Sequence, residues 1–145
     1  MNGLATPGAH LQLSVPPDPK QGRAIRGRIA AFARAAGAGE GDLSELLAAL
    51  GEALANAIEH SGTTEPIEVS AWVAGDDLTV QVVDHGTGFI PDPIVPPRTP
   101  REVLAERGRG LLIMSRCADA ISVESGPGRG TAVTLSRHLG AYRPH

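Results

Sequence analysis

The chain has 145 residues, a formal net charge of −3, 41% hydrophobic residues and 3% aromatics. That is the size of one domain with enough apolar material for a core, which excludes wholesale disorder. Four rings (Phe32, Trp72, Phe89, Tyr142) and no basic block disfavour nucleic-acid binding. The single cysteine, Cys117, excludes an internal disulfide and a cysteine-rich zinc site.

No apolar run approaches the ~20 residues of a membrane span, and Met1–Pro7 lacks the charged start and apolar stretch of a leader, so a cytoplasmic protein is expected. One lysine stands against twelve arginines, a bias of the coding background that weakens any argument from arginine number.

In chain order, residues 1–9 are expected to be a flexible start. Leu11, Leu13 and Val15 alternate with Gln12 and Ser14, which predicts a half-buried strand. Asp18 before Pro19 predicts an N-cap with proline at the first helical position. A helix follows to about Ala36, with Ile25, Ile29 and Phe32 on one side, and ends in Gly37, Gly39 and Gly41.

A second helix is predicted over Asp42–His60, capped by Asp42 and ended by Gly62. Its leucines (43, 46, 47, 50, 54) and Ile58 share one side. Glu45, Glu52, Asn56 and Glu59 form a narrow stripe on the other. Such a stripe is ordinarily a solvated face. It is also a set of hard oxygens of the kind Mg²⁺ takes, with a Glu one turn from Asn56 that could accept a hydroxyl proton.

After Pro66 the period becomes two. Ile67, Val69 and Ala71, a turn at Gly75-Asp76-Asp77, then Leu78, Val80 and Val82 up to Asp84 read as a hairpin. Prolines 91, 93, 96, 97 and 100 mark a long loop. A short helix over Leu111–Cys117 and strands at about Ala120–Glu124 and Thr131–Arg137 complete the chain. The order β-α-α-β-β-loop-α-β-β predicts an α+β fold, with helices on one face of a mainly antiparallel sheet.

Three glycine segments could admit a ligand: Asp84-His85-Gly86-Thr87-Gly88-Phe89 at a strand end, Gly108-Arg109-Gly110 before a helix, and Gly128-Arg129-Gly130-Thr131 at a strand entry. Each alone is a weak signal: D-x-G-x-G is also a plain turn, and Gly126 to Gly130 a hairpin loop. The Walker pattern and an early G-x-G-x-x-G are absent, which disfavours P-loop and Rossmann sites.

In this order, E-x-x-x-N, D-x-G-x-G, a loose loop, G-x-G and a terminal G-T resemble the GHKL ATPase superfamily. The stretches GEALANAIEHSG, VVDHGTGF, ERGRGLLIM and GRGTAVTL resemble, more closely, the bacterial anti-sigma factor serine/threonine kinases. The likeness covers about residues 10–138.

The resemblance implies the Bergerat fold, a two-layer α+β sandwich over 10–140, with a lid at about 90–107 and a tail at 141–145. It implies ATP and Mg²⁺ as cofactors. Asn56 would hold Mg²⁺ against the phosphates, and Glu52 would be the general base. Asp84 would bind the adenine amino group, with Gly86 and Gly88 making room for the base. Gly108, Gly110 and Leu111 would line the phosphates, with Arg107 or Arg109 near the γ-phosphate, and Thr131 would close the adenine end.

The partners implied are a sigma factor, a STAS-fold anti-anti-sigma protein carrying the phosphorylated serine or threonine, and a second copy of the chain. Two other readings stay open: an ATP-binding regulator without kinase activity, and a detached histidine-kinase catalytic domain. The strand and helix of residues 11–36 suit the anti-sigma group better than the latter. His60 and His85 read as structural residues rather than metal ligands, and Cys117 as a small core residue.

Overall fold

A computed structural model of the chain describes residues 10–60, 65–85, 117–126 and 130–139. Its elements are β1 (His10–Val15), a 3-10 turn (Pro19–Gln21), α1 (Gly22–Ala35), α2 (Glu40–His60), β2 (Ile67–Ala74), β3 (Asp77–Asp84), β4 (Ala120–Gly126) and β5 (Gly130–His138).

The entry to the helices follows the sequence. Asp18 is extended (φ −123°, ψ 126°), and its carboxylate accepts the Lys20 amide at 2.9 Å, directly ahead of Pro19. α1 runs on from this turn, and α2 begins after the short Ala36–Gly39 link. The start of α2 differs from expectation. The Leu43 amide donates to the Gly39 carbonyl at 2.9 Å, so the helix opens at Glu40 and Asp42 lies inside its first turn. Asp42 is therefore no cap; its carboxylate is held by Arg137. Across the link, Arg34 Nε lies 3.2 Å from Glu40 Oε2.

The five strands form one antiparallel sheet in the order β1-β2-β3-β5-β4. The β2–β3 hairpin turns through Gly75-Asp76, with Ala74 opposite Asp77. Gly75 has φ 63°, the positive angle that a II′ hairpin turn needs at its first loop residue.

Alternation decides which face is covered. Ile67, Val69, Ala71 and Val73 of β2, Leu78, Val80 and Val82 of β3, and Val133 and Leu135 of β5 are all buried. They pack with Ile25, Ile29 and Ala33 of α1 and Leu43, Leu46, Leu50 and Leu54 of α2 into one core. The other face is mainly polar, with Trp72 and Val83 among its side chains: Thr79 and Ser136 share a hydrogen bond at 3.0 Å, and Gln81 Nε2 donates to Thr134 Oγ1 at 3.1 Å. Two helices over one face of an antiparallel sheet is the expected α+β architecture. Among the described residues no helix is long and apolar enough to cross a membrane.

Candidate functional site

The same period of two that builds the core places polar groups at the ends of its rows. Asp84 follows Leu78, Val80 and Val82 in phase, so it lies on the helix-facing side and is buried at 4% exposure. Thr131 leads the row Val133, Leu135, Arg137 on β5 and is also buried. These two residues are register partners. The aspartate of the first glycine segment and the threonine of the last, 47 positions apart in sequence, thus meet at one end of the sheet.

Gly130 fixes that meeting. Its φ is 76°, and a Cβ placed on it would collide with the Asp84 carbonyl and lie 3.1 Å from the His85 Cα. The strand entry therefore packs directly on the main chain that carries Asp84. Sequence reasoning gave Gly130 no role of its own, although its place before Thr131 was visible. His85 turns the other way, its Nε2 lying 3.0 Å from Glu68 Oε2.

On α2, Glu52 is half-buried and Glu59 exposed, whereas Asn56 is buried at 8% exposure. At about 100° per residue the leucines alone would leave Asn56 outside. Ala49, Ala53 and Ala57 are buried too and widen the apolar arc to the edge of the stripe. Asn56 sits on that edge, and its Nδ2 is buried with no hydrogen-bond partner.

A buried amide without an acceptor costs about 1–3 kcal/mol, which is tolerable where a ligand completes it. The donor suits phosphate oxygens, and the amide oxygen is a hard ligand of the kind Mg²⁺ takes. The carboxylates of the stripe do not add up to a metal cage. Glu45 and Glu59 are 14 residues apart, about 21 Å along a helix. Among the described residues no group of three or more His, Cys, Asp or Glu could hold a metal.

Sequence reasoning missed a second polar cluster at the opposite end of β5. Arg137 is 9% exposed. Its Nε and Nη2 donate to Asp42 Oδ1 at 3.0 and 2.8 Å, and its Nη1 donates to the Cys117 carbonyl at 2.8 Å and lies 2.7 Å from Glu45 Oε1. Burial disfavours the cation, but the hydrogen bond to Asp42 and the charges of Glu45, Asp42 and Asp119 outweigh it and hold its pKa above the ordinary arginine value. Cys117 is a free, half-buried cysteine packed against the core.

A cleft of about 400 Å³ lies on the α1 flank of α2, lined by Arg26, Gly51, Leu54, Ile58 and Glu59 among others. It includes none of Asn56, Asp84 and Thr131. The remaining sequence-expected positions, Gly86, Gly88, Arg107, Gly108, Arg109, Gly110 and Leu111, lie outside the described residues, as does the lid segment.

A two-layer sandwich with a buried aspartate at a strand end, a glycine–threonine strand entry against it and an amide-bearing helix above has the architecture of the GHKL-type nucleotide-binding ATPases. Residues 15–137 match the histidine kinase-like ATPase domain family. An anti-sigma F factor from a Thermoanaerobacter species is 30% identical over 117 residues, covering 78% of this chain and 82% of that protein. The serine-protein kinase RsbW of Bacillus velezensis is 28% identical over 150 residues, covering 97% and 92%.

The solved structure of the RsbU and RsbW domains of Rv1364c from Mycobacterium tuberculosis has the same fold, with a TM-score of 0.71 at 24% identity. It covers 96% of this chain, which spans only 34% of that longer one. The chain belongs to the histidine kinase-like ATPase domain family and, within it, to the group of anti-sigma factors and serine-protein kinases.

Proposed function

We propose that this chain is an ATP-dependent serine/threonine protein kinase and anti-sigma factor. It sequesters a sigma factor, phosphorylates a STAS-fold anti-anti-sigma partner, and works as a homodimer in the cytoplasm. The relatives' names support the class of activity. The observation that carries the site is Asn56: a buried amide whose Nδ2 lacks an acceptor, one helical turn from the half-buried carboxylate of Glu52.

In this reading Asp84 accepts from the adenine amino group, and Thr131 closes the base end beside it. Asn56 would donate to a phosphate oxygen or ligate the cation through its own oxygen. Gly86 and Gly88 would leave room for the base. Gly108, Gly110 and Leu111, with Arg107 or Arg109, would line the phosphates; the family match runs through all of these positions.

Bound Mg²⁺-ATP supplies the transferable γ-phosphoryl group and an ADP leaving group. Glu52 would accept the proton of an incoming serine or threonine hydroxyl, whose oxygen would take the γ-phosphoryl group with ADP as the leaving group.

The test is co-purification with partner identification, with and without Mg²⁺-ATP, followed by phosphoryl transfer to the captured partner. Recovery of a sigma factor and ATP-dependent phosphorylation of a STAS-fold protein are expected. Capture of a partner that is never phosphorylated would make the chain an ATP-binding regulator instead.

A further inference from the structure

We propose that Arg137 is a positioning residue for the nucleotide site, acting from the far end of the sheet. The inference rests on the site reading given above. One guanidinium joins three parts of the molecule: the end of β5, the first two turns of α2 through Asp42 and Glu45, and the Cys117 carbonyl. Cys117 follows the G-x-G motif by seven residues in sequence.

The clamp indexes α2 in rotation and along its axis. Glu45 lies 7 and 11 residues before Glu52 and Asn56. These are close to whole numbers of turns, so holding Glu45 fixes the direction in which the other two point. Asp42 to Asn56 is 14 residues, about 21 Å of helix. Arg137 back to Thr131 is 6 residues, about 20 Å of strand. The helix runs away from the clamp and the strand runs toward it. Equal lengths on two packed elements thus carry Asn56 and Thr131 to the same end.

Asp84 and Thr131 are register partners in the sheet, so β3–β5 pairing sets their main-chain positions. Glu52 and Asn56 depend on where α2 is docked. The adenine-reading half of the site is therefore less sensitive to Arg137 than the magnesium-phosphate half. A lysine keeps the charge but offers one compact ammonium in place of a planar fork, and cannot span Asp42, Glu45 and the Cys117 carbonyl together. Misplacement by 1 Å is worth up to about 10²-fold at a reacting centre.

The experiment is calorimetric titration of ATP into the full chain, with Mg²⁺ and with EDTA, for the unmutated protein, R137K and E45Q, each checked for folding by circular dichroism. For R137K the affinity in EDTA is expected within ~2-fold of the unmutated protein, while the gain on adding Mg²⁺ falls at least ~5-fold. E45Q, a change at a half-exposed side chain that spares the fold, moves the same quantity in the same direction by less, and decides the matter should R137K not fold.

A full magnesium-linked gain in both variants overturns the proposal. So does an equal fall with and without Mg²⁺, which is the mark of general weakening. Absence of any magnesium-linked gain in the unmutated protein overturns the nucleotide-site reading, and this inference with it.

Discussion

Gly130 lies against the main chain of Asp84 so closely that any side chain at position 130 would strike the Asp84 carbonyl. Two constraints coincide there, a φ of 76° and a backbone in the way. Gly130→Ala is expected to cost at least ~2 kcal/mol, from left-handed strain plus displacement of β3 from β5. It is also expected to weaken ATP binding by moving Asp84. Urea denaturation and nucleotide titration of the variant check both; an alanine tolerated without loss of either would remove Gly130 from this role.

Asn56 and Glu52 share a stripe but differ in burial, and their variants are expected to separate. Asn56→Ala removes a buried Nδ2 that has no partner, so the nucleotide-free protein should be no less stable in urea, while Mg²⁺-ATP binding drops. Glu52→Ala should leave ATP affinity largely intact and lower phosphoryl transfer by roughly 10²–10⁴. Full transfer by the Glu52 variant to a cognate partner would exclude the general-base role.

Arg137 also bears on stability. Its side chain is 11% exposed and that of Asp42 15%. Arg137→Ala would remove the guanidinium that holds the Asp42 carboxylate and is expected to destabilise by about 3 kcal/mol. Glu45→Gln, at a half-exposed partner, should cost less than about 1 kcal/mol. Denaturation midpoints at constant slope give both values; equal effects of the two changes would contradict the asymmetry.

The elements were legible in the sequence because local rules and tertiary packing agree. Alternation in Ile67–Ala71 and Leu78–Val82, the Asp18–Pro19 cap and the Gly75-Asp76 turn all specify the structure that forms. The start of α2 was not legible. Glycines at 39 and 41 hide its first turn, and Asp42, chemically a good cap, is taken by an arginine 95 positions away. Residue type and local spacing carry no record of such a pair.

The burial of Asn56 was missed for a related reason. Alanines 49, 53 and 57 count little in a periodicity read from leucines, yet they decide how far the buried arc extends. The nearness of Asp84 to Thr131 was implicit in the motif order, but it took strand register to express it. The adenine-side glycines and the phosphate-lining positions rest on motif likeness and the family match.

The most direct test of the central claim is base choice at Asp84. A carboxylate can accept from adenine's amino group but opposes guanine's carbonyl oxygen with a second acceptor. Asp84 is 4% exposed, and a desolvated mismatch of this kind costs roughly 1–3 kcal/mol or more. Calorimetric titration of ATP and GTP, with Mg²⁺, into the unmutated protein and Asp84→Asn is expected to show ATP favoured at least ~10-fold in the first and a reduced preference in the second. Equal affinities for the two nucleotides in the unmutated protein, or no saturable binding of either, would contradict the assignment of this end of the sheet as an ATP site.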